Sequence, residues 1–168
     1  MKAEYSNIVS TGQVGKNERR LLMQYLLIDF ENEKYWLERN EQLIILRQVI
    51  VDEDSNLHVS CREDCLAEGI VELDELDGTY KEILQNEFES MWVSALRPYC
   101  EEWLKIKEKY TVGRKVEGIC KCFYPQGAII RGEDYVASYK GKKEIIFNES
   151  VAAQIVGYDE KNLWLVLE

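Results

Sequence analysis

The sequence predicts an α+β fold: an N-terminal β-hairpin or meander with a long, proline-kinked helix, then a small C-terminal β-barrel. Three observations carry this. Apolar residues recur at helical spacing between Leu84 and Trp103. A nearly continuous β-branched run, QLIILRQVIV, precedes an acidic turn at residues 52–56. From Thr111 onward six of the ten glycines punctuate short apolar runs. The chain therefore divides near residue 110, into an acidic α+β region (1–110) and a barrel domain (111–168).

The first 15 residues, with Gly12 and Gly15, read as a terminal arm or an edge strand. In NERRLLMQYLLIDF the residues Leu21, Leu22, Tyr25 and Leu26 have helical spacing and Asn17 is placed to cap. The same residues also read as a strand that turns at Glu31-Asn32-Glu33 into KYWLER. Both readings stand. Gln42 to Val51 is a strand, LHVSC (57–61) returns beside it with Leu57, Val59 and Cys61 on one face, and EGIVEL (68–73) is a third candidate strand. Asp74 to Gly78 is a polar loop. Thr79-x-x-Glu82 has the capping-box pattern that satisfies two backbone N–H groups at a helix start. The stripe Leu84, Phe88, Met91, Trp92, Ala95, Leu96, Tyr99 and Trp103 follows as core. Pro98 kinks or splits this helix, because it lacks an N–H and clashes with the preceding turn. The helical run ends near Tyr110. Then VEGICKCF, GAII, YVASY, EIIF, AAQIVGY and LWLVL supply five or six short strands.

The formal charge of −10 is unevenly spread: residues 1–110 hold 13 Lys and Arg against 23 Asp and Glu, and residues 111–168 hold 8 of each. An acidic surface repels phosphate backbones and steers basic partners toward it. Nucleic-acid binders usually carry a basic patch instead. Hydrophobic residues at 46% and charged ones at 31% describe an ordinary globular composition. No apolar run approaches the roughly 20 residues that cross a bilayer, and MKAEYSNIVSTG lacks the apolar stretch of a signal peptide. Five scattered cysteines (Cys61, Cys65, Cys100, Cys120, Cys122) fit reduced thiols. The expectation is a cytoplasmic protein without membrane contact.

Gly113-x-x-Val116-x-Gly118-x-Cys120-x-Cys122, followed by Gly127-Ala-Ile-Ile130, resembles the first two strands of S1 domains, which are OB-fold barrels. Ala153 to Asp159 and Leu163 to Leu167 look like the closing hairpin of that family, and Lys143 to Phe147 like its third strand. Glycines for sharp coiling and alternation for a filled interior serve SH3-like barrels equally, so the barrel is expected to be OB/S1-like or SH3-like. The resemblance implies base stacking on two aromatics flanking the Gly-Ala pair and a histidine on the next strand. Here those positions read Gln126, Ile129, and Phe147 or Asn148. An RNA-binding reading therefore rests on other groups: Tyr124 with Lys140, Lys142 and Lys143, and a platform from Phe123, Tyr135, Tyr139 and Tyr158.

Other constellations read more plainly as structure. His58-x-x-Cys61-x-x-x-Cys65 with Cys120-x-Cys122 has zinc ligand types at loose spacing, but alternation sends these thiols toward apolar faces. Asp52-Glu-Asp54-Ser-Asn56 with Glu63 imitates a calcium loop, yet its sixth position is Leu57 where a sharp turn needs Gly. Gly12-x-x-Gly15-Lys16 lacks phosphate-loop spacing. A single histidine limits nucleophilic catalysis, and no cofactor is expected. The reading is a non-enzymatic acidic cytosolic protein that binds a basic protein partner, as inhibitors, immunity proteins or adaptors do. Asp52, Asp54, Asp74 and Glu75 are its candidate contacts. RNA binding through the barrel is one alternative, and a carboxylate-dependent enzyme working in an interdomain cleft is another.

Overall fold

The computed structural model describes residues 23–75 and 78–168; the expected arm, the Gly12–Lys16 stretch and the Asn17 cap lie outside them. The fold is mixed α+β, mostly strands, with two sheets. Strands β1 (Gln24–Phe30) and β2 (Glu33–Arg39) form an antiparallel hairpin. Its two turn residues, Glu31 and Asn32, have φ of 50° and 67°, the left-handed pair that matches the twist of a two-residue hairpin. The helix reading of residues 24–39 is thereby replaced by strands. β3 (Ile45–Val51) and β4 (Leu57–Val59) continue from β2, and β5 (Thr79–Glu82) pairs with β1, giving the order β4-β3-β2-β1-β5.

Both faces of this sheet are covered. Leu26, Ile28, Leu37 and Ile45 pack under Leu66, Ala67, Val71 and Leu73 from the segment between β4 and β5. That segment is not the third strand expected at 68–73. Only an isolated bridge links Ile70 to Ile44, and a 3-10 turn follows at Leu73–Glu75. Gly69 at φ 78° turns the chain out of extended geometry. Tyr25, Val49 and Val59 on the opposite face join Phe88 and Trp92.

The helical region also differs from the long helix expected from Thr79. It consists of α1 (Gln85–Leu96), a 3-10 turn (Arg97–Tyr99) and α2 (Cys100–Lys109). Thr79–Glu82 is a fully exposed edge strand, and its Thr-x-x-Glu match is incidental. The cap lies one turn later, where the Leu84 N–H donates to the Glu87 carboxylate at 2.8 Å. Pro98 divides α1 from α2 within the 3-10 turn. α1 is fixed to the sheet by Arg47, which is 3% exposed and is bonded by Glu38 at 2.5 Å and by Glu89 at 2.6 Å. Its guanidinium also lies 4.9 Å from the Phe88 ring centre and 5.0 Å from that of Trp92.

Residues 115–167 supply β6 (Lys115–Tyr124), β7 (Gly127–Arg131), β8 (Val136–Tyr139), β9 (Ser150–Asp159) and β10 (Trp164–Leu167). β6 pairs with β7 and β9, β7 with β8, and β10 with β9 and, in parallel, with β8, so the ring of pairings closes. Three successive antiparallel strands with a fourth returning beside the first make a Greek key. Gly118 permits the close approach of β6 to β7: a Cβ there would stand 2.7 Å from the Arg131 carbonyl oxygen and from Ile130 Cγ2. Residues 143–147 are not a strand. They form the long β8–β9 connection, in which Ile145 is buried while Ile146 and Phe147 face solvent. Asp159 starts the β9–β10 turn by accepting the N–H groups of Lys161 and Asn162 and the Asn162 side-chain amide. One apolar cluster runs without a break from Tyr25 and Val49 through Trp92 and Trp103 to Ile129, Trp164 and Leu165. No described helix is long and apolar enough to cross a membrane.

Candidate interaction surface

β7 decides which surfaces are available. In a free barrel its outward residues meet solvent, but here Ala128, Ile129 and Ile130 are all buried, and Ile129, on the side opposite Ile130, is 2% exposed. The N-terminal half covers this face. Gln126 Nε2 donates to the Leu46 carbonyl at 2.7 Å, and Arg131 donates to the Arg62 carbonyl at 2.6 Å. Tyr124 donates its hydroxyl to the carbonyls of Ser60 (3.0 Å) and Glu63 (3.2 Å), and Trp164 Nε1 donates to the Cys61 carbonyl at 2.7 Å. Residues 60–63 thus present four consecutive carbonyls to donors of the barrel. Gln126 and Ile129, the two positions where S1 domains resemble one another in carrying aromatics, are built into this seam.

The segment 60–63 is held from behind by His58. Its Nδ1 lies 2.9 Å from a Glu63 carboxylate oxygen and its Nε2 lies 3.0 Å from Asp52. Two carboxylates, Asp52 foremost, raise the imidazole pKa, and hydrogen bonds from His58 and Asn56 hold the Asp52 carboxyl down at about 2. The first and last acidic residues of the calcium-like stretch are therefore joined through an imidazole, and Asp52–Asn56 is a hairpin turn. Among the described residues no three His, Cys, Asp or Glu side chains converge as metal ligands. Burial pushes the thiols of Cys61, Cys65 and Cys122 up to about 12, so each stays a neutral, weakly nucleophilic SH.

The four acidic candidates do not form one patch through any contact of their own. Asp52 is committed to Asn56 and His58, and Asp54 is exposed at the tip of the same turn. Asp74 is exposed in the 3-10 turn that leads toward β5, and the Glu75 side chain lies outside what the structure describes. Of the candidate nucleic-acid groups, Tyr124 is drawn into the seam, and burial pushes its phenol pKa well up. Lys140 donates to the Gln126 carbonyl, Lys143 bonds Glu149 at 2.5 Å, and Lys142 is exposed. Tyr135 is buried, Tyr158 donates to the Tyr110 carbonyl, and Tyr139 is half-buried, which leaves Phe123 as the exposed ring of that set.

At the mouth of the seam lies a cleft of about 630 Å³. One wall comes from the N-terminal half (Ile44, Leu66 and the carboxylates Asp64 and Glu68), the other from Phe123 and Phe147 of the barrel. The two rings are 55% and 61% exposed. Lys121, on the same side, is directed to Asn148 Oδ1 at 3.3 Å. Sequence reasoning treated Phe123 as one member of a barrel platform and Phe147 as a strand residue, and passed over Asp64, Leu66 and Glu68 as a site. One signal was available for the seam: in Ala128-Ile129-Ile130 both alternate positions are apolar, the mark of a strand covered on two faces. No protein-family model matches the sequence, and no curated protein matches it.

Proposed function

We propose that this protein acts by non-covalent binding of a basic protein partner, in the manner of an inhibitor, immunity protein or adaptor. The observation that carries this reading is the covered outer face of β7. The Greek-key order of the barrel supports an OB/S1-like assignment over an SH3-like one. In that family type the face of the second and third strands receives oligonucleotides, and in this chain Ile129, Gln126 and Arg131 of that region pack on the chain's own N-terminal half. The half that covers this strand carries the whole −10 charge, which favours cationic partners by long-range steering. The cytoplasm is the setting proposed for this encounter.

The test is a fluorescence-anisotropy titration of the full chain against two probes at several NaCl concentrations. The probes are a panel of lysine- and arginine-rich peptides and a uridine oligonucleotide. Saturable peptide binding that weakens with salt, and weakens further in an Asp54→Asn, Asp74→Asn variant, supports the reading. Saturable oligonucleotide binding that falls with salt and on replacing Lys142 and Lys143 by alanine overturns it in favour of RNA binding.

A further inference from the structure

We infer that the cleft between the 64–68 segment and the barrel is the docking trough for a peptide segment that places an apolar anchor beside lysine or arginine. The inference rests on the basic-partner reading and adds where, and by which chemistry, the partner is held. Phe123 and Phe147 leave more than half of their surface in water, and the chain nearby exposes Ile146 at 65%. Side chains of this size exposed together mark an interaction site more often than a bare surface, and aromatic anchors dominate interface energetics. Ile44 and Leu66 supply the opposing apolar wall.

Charge selects the occupant. Asp64 and Glu68 stand on the lining, and among the described residues neither is in an ion pair. The Asp64 carboxylate meets only neutral donors, the Tyr124 hydroxyl at a long 3.4 Å and the Cys122 thiol. Among the described residues Lys121 is the lining cation, and its amine is turned to Asn148. Two unneutralised carboxylates beside exposed rings repel an anionic ligand and complement a cationic one. The rings stand too open to enclose a small molecule, which pockets usually bury over most of its surface. A linear segment crossing the trough covers both rings and reaches both carboxylates.

The test is selection of a random peptide library displayed on phage against the full chain, with the winning peptides re-measured on Phe123→Ser, Phe147→Ser and on Asp64→Asn, Glu68→Gln. All four positions line the open cleft, and the urea midpoint of each variant checks that the fold is kept. Expected are peptides that combine Lys or Arg with Phe, Leu or Trp. Their affinity falls about tenfold or more on the ring variant, and the carboxylate variant flattens its salt dependence. Basic peptides that bind the ring variant as tightly as wild type overturn the cleft while leaving the basic-partner reading intact. Winners without basic residues overturn both, and an absence of enrichment overturns the cleft. Concentration-dependent self-association that is lost in the ring variant also overturns the inference, because the occupant is then a second copy of this chain.

Discussion

Replacing Tyr124 with phenylalanine removes one oxygen atom from the seam and leaves the ring in place. That oxygen lies 3.0 Å from the Ser60 carbonyl oxygen and 3.2 Å from that of Glu63, and its single proton makes one shared hydrogen bond and not two full ones. A net bond of this kind contributes about 0.5–1.5 kcal/mol, and a carbonyl left without its donor in a half-buried seam adds a fraction of its desolvation cost, for a total of about 1–2 kcal/mol. In a chain of this size that corresponds to a fall in Tm of about 2–8 °C. Urea unfolding followed by tryptophan fluorescence reads the change directly, since Trp164 lies 6.1 Å from the Tyr124 ring. Because one apolar cluster spans both halves, the loss is expected as a shift of a single cooperative transition. An unchanged midpoint, or two transitions of which only one moves, refutes the seam argument.

The remaining expectations concern a histidine with its carboxylate, a buried arginine and a glycine. His58→Gln should flatten the pH dependence of stability: the folded imidazole pKa is raised by Asp52 and Glu63, so its contribution is full below an unfolded value of about 6.5 and is lost as pH rises through the folded value. Asp52, held down at about 2, contributes above its unfolded value of about 4 and loses that contribution as pH falls toward about 2. Urea midpoints across pH 5–9 check the first of these, and their equality in wild type and variant refutes it. Arg47→Met strands the Glu38 and Glu89 carboxylates against a buried face and should cost about 3–5 kcal/mol. Adding Glu38→Gln should return part of that loss, as read by chemical denaturation. Gly118→Ala should destabilise by about 1–3 kcal/mol, because the new methyl meets backbone of β7; an unaltered thermal midpoint contradicts the tight β6–β7 approach.

The barrel's strands were legible because their cause is local. Alternation in Lys115–Tyr124 and Ser150–Asp159 follows the burial of every second residue, and Asp159 announces its own turn. Residues 143–147 misled because their apolar character comes from two different uses: Ile145 fills the core while Phe147 stands at the cleft. Thr79–Glu82 misled because a four-residue capping pattern also fits an edge strand held by β1, whose pairing is set about 50 residues away. The ambiguity at residues 24–39 was settled by Glu31 and Asn32, whose left-handed backbone propensity alone could not establish. The seam was the least legible feature. Gln126 and Arg131 reach carbonyls 80 and 69 residues distant, and no local periodicity reports such a contact beyond the doubly apolar Ala128–Ile130.

The covered strand has a consequence for how this polypeptide can be handled and inherited. Cutting it after the second helix would bare Ile129 and Trp164 and strip the acceptors from Tyr124, Gln126, Arg131 and the Trp164 indole at one stroke. A fragment made of the cylinder alone would expose a greasy, donor-rich flank and would cling to itself or to whatever it met. The two halves are in effect co-tenants of the larger of two interiors, and the cylinder is not expected to serve as a portable module.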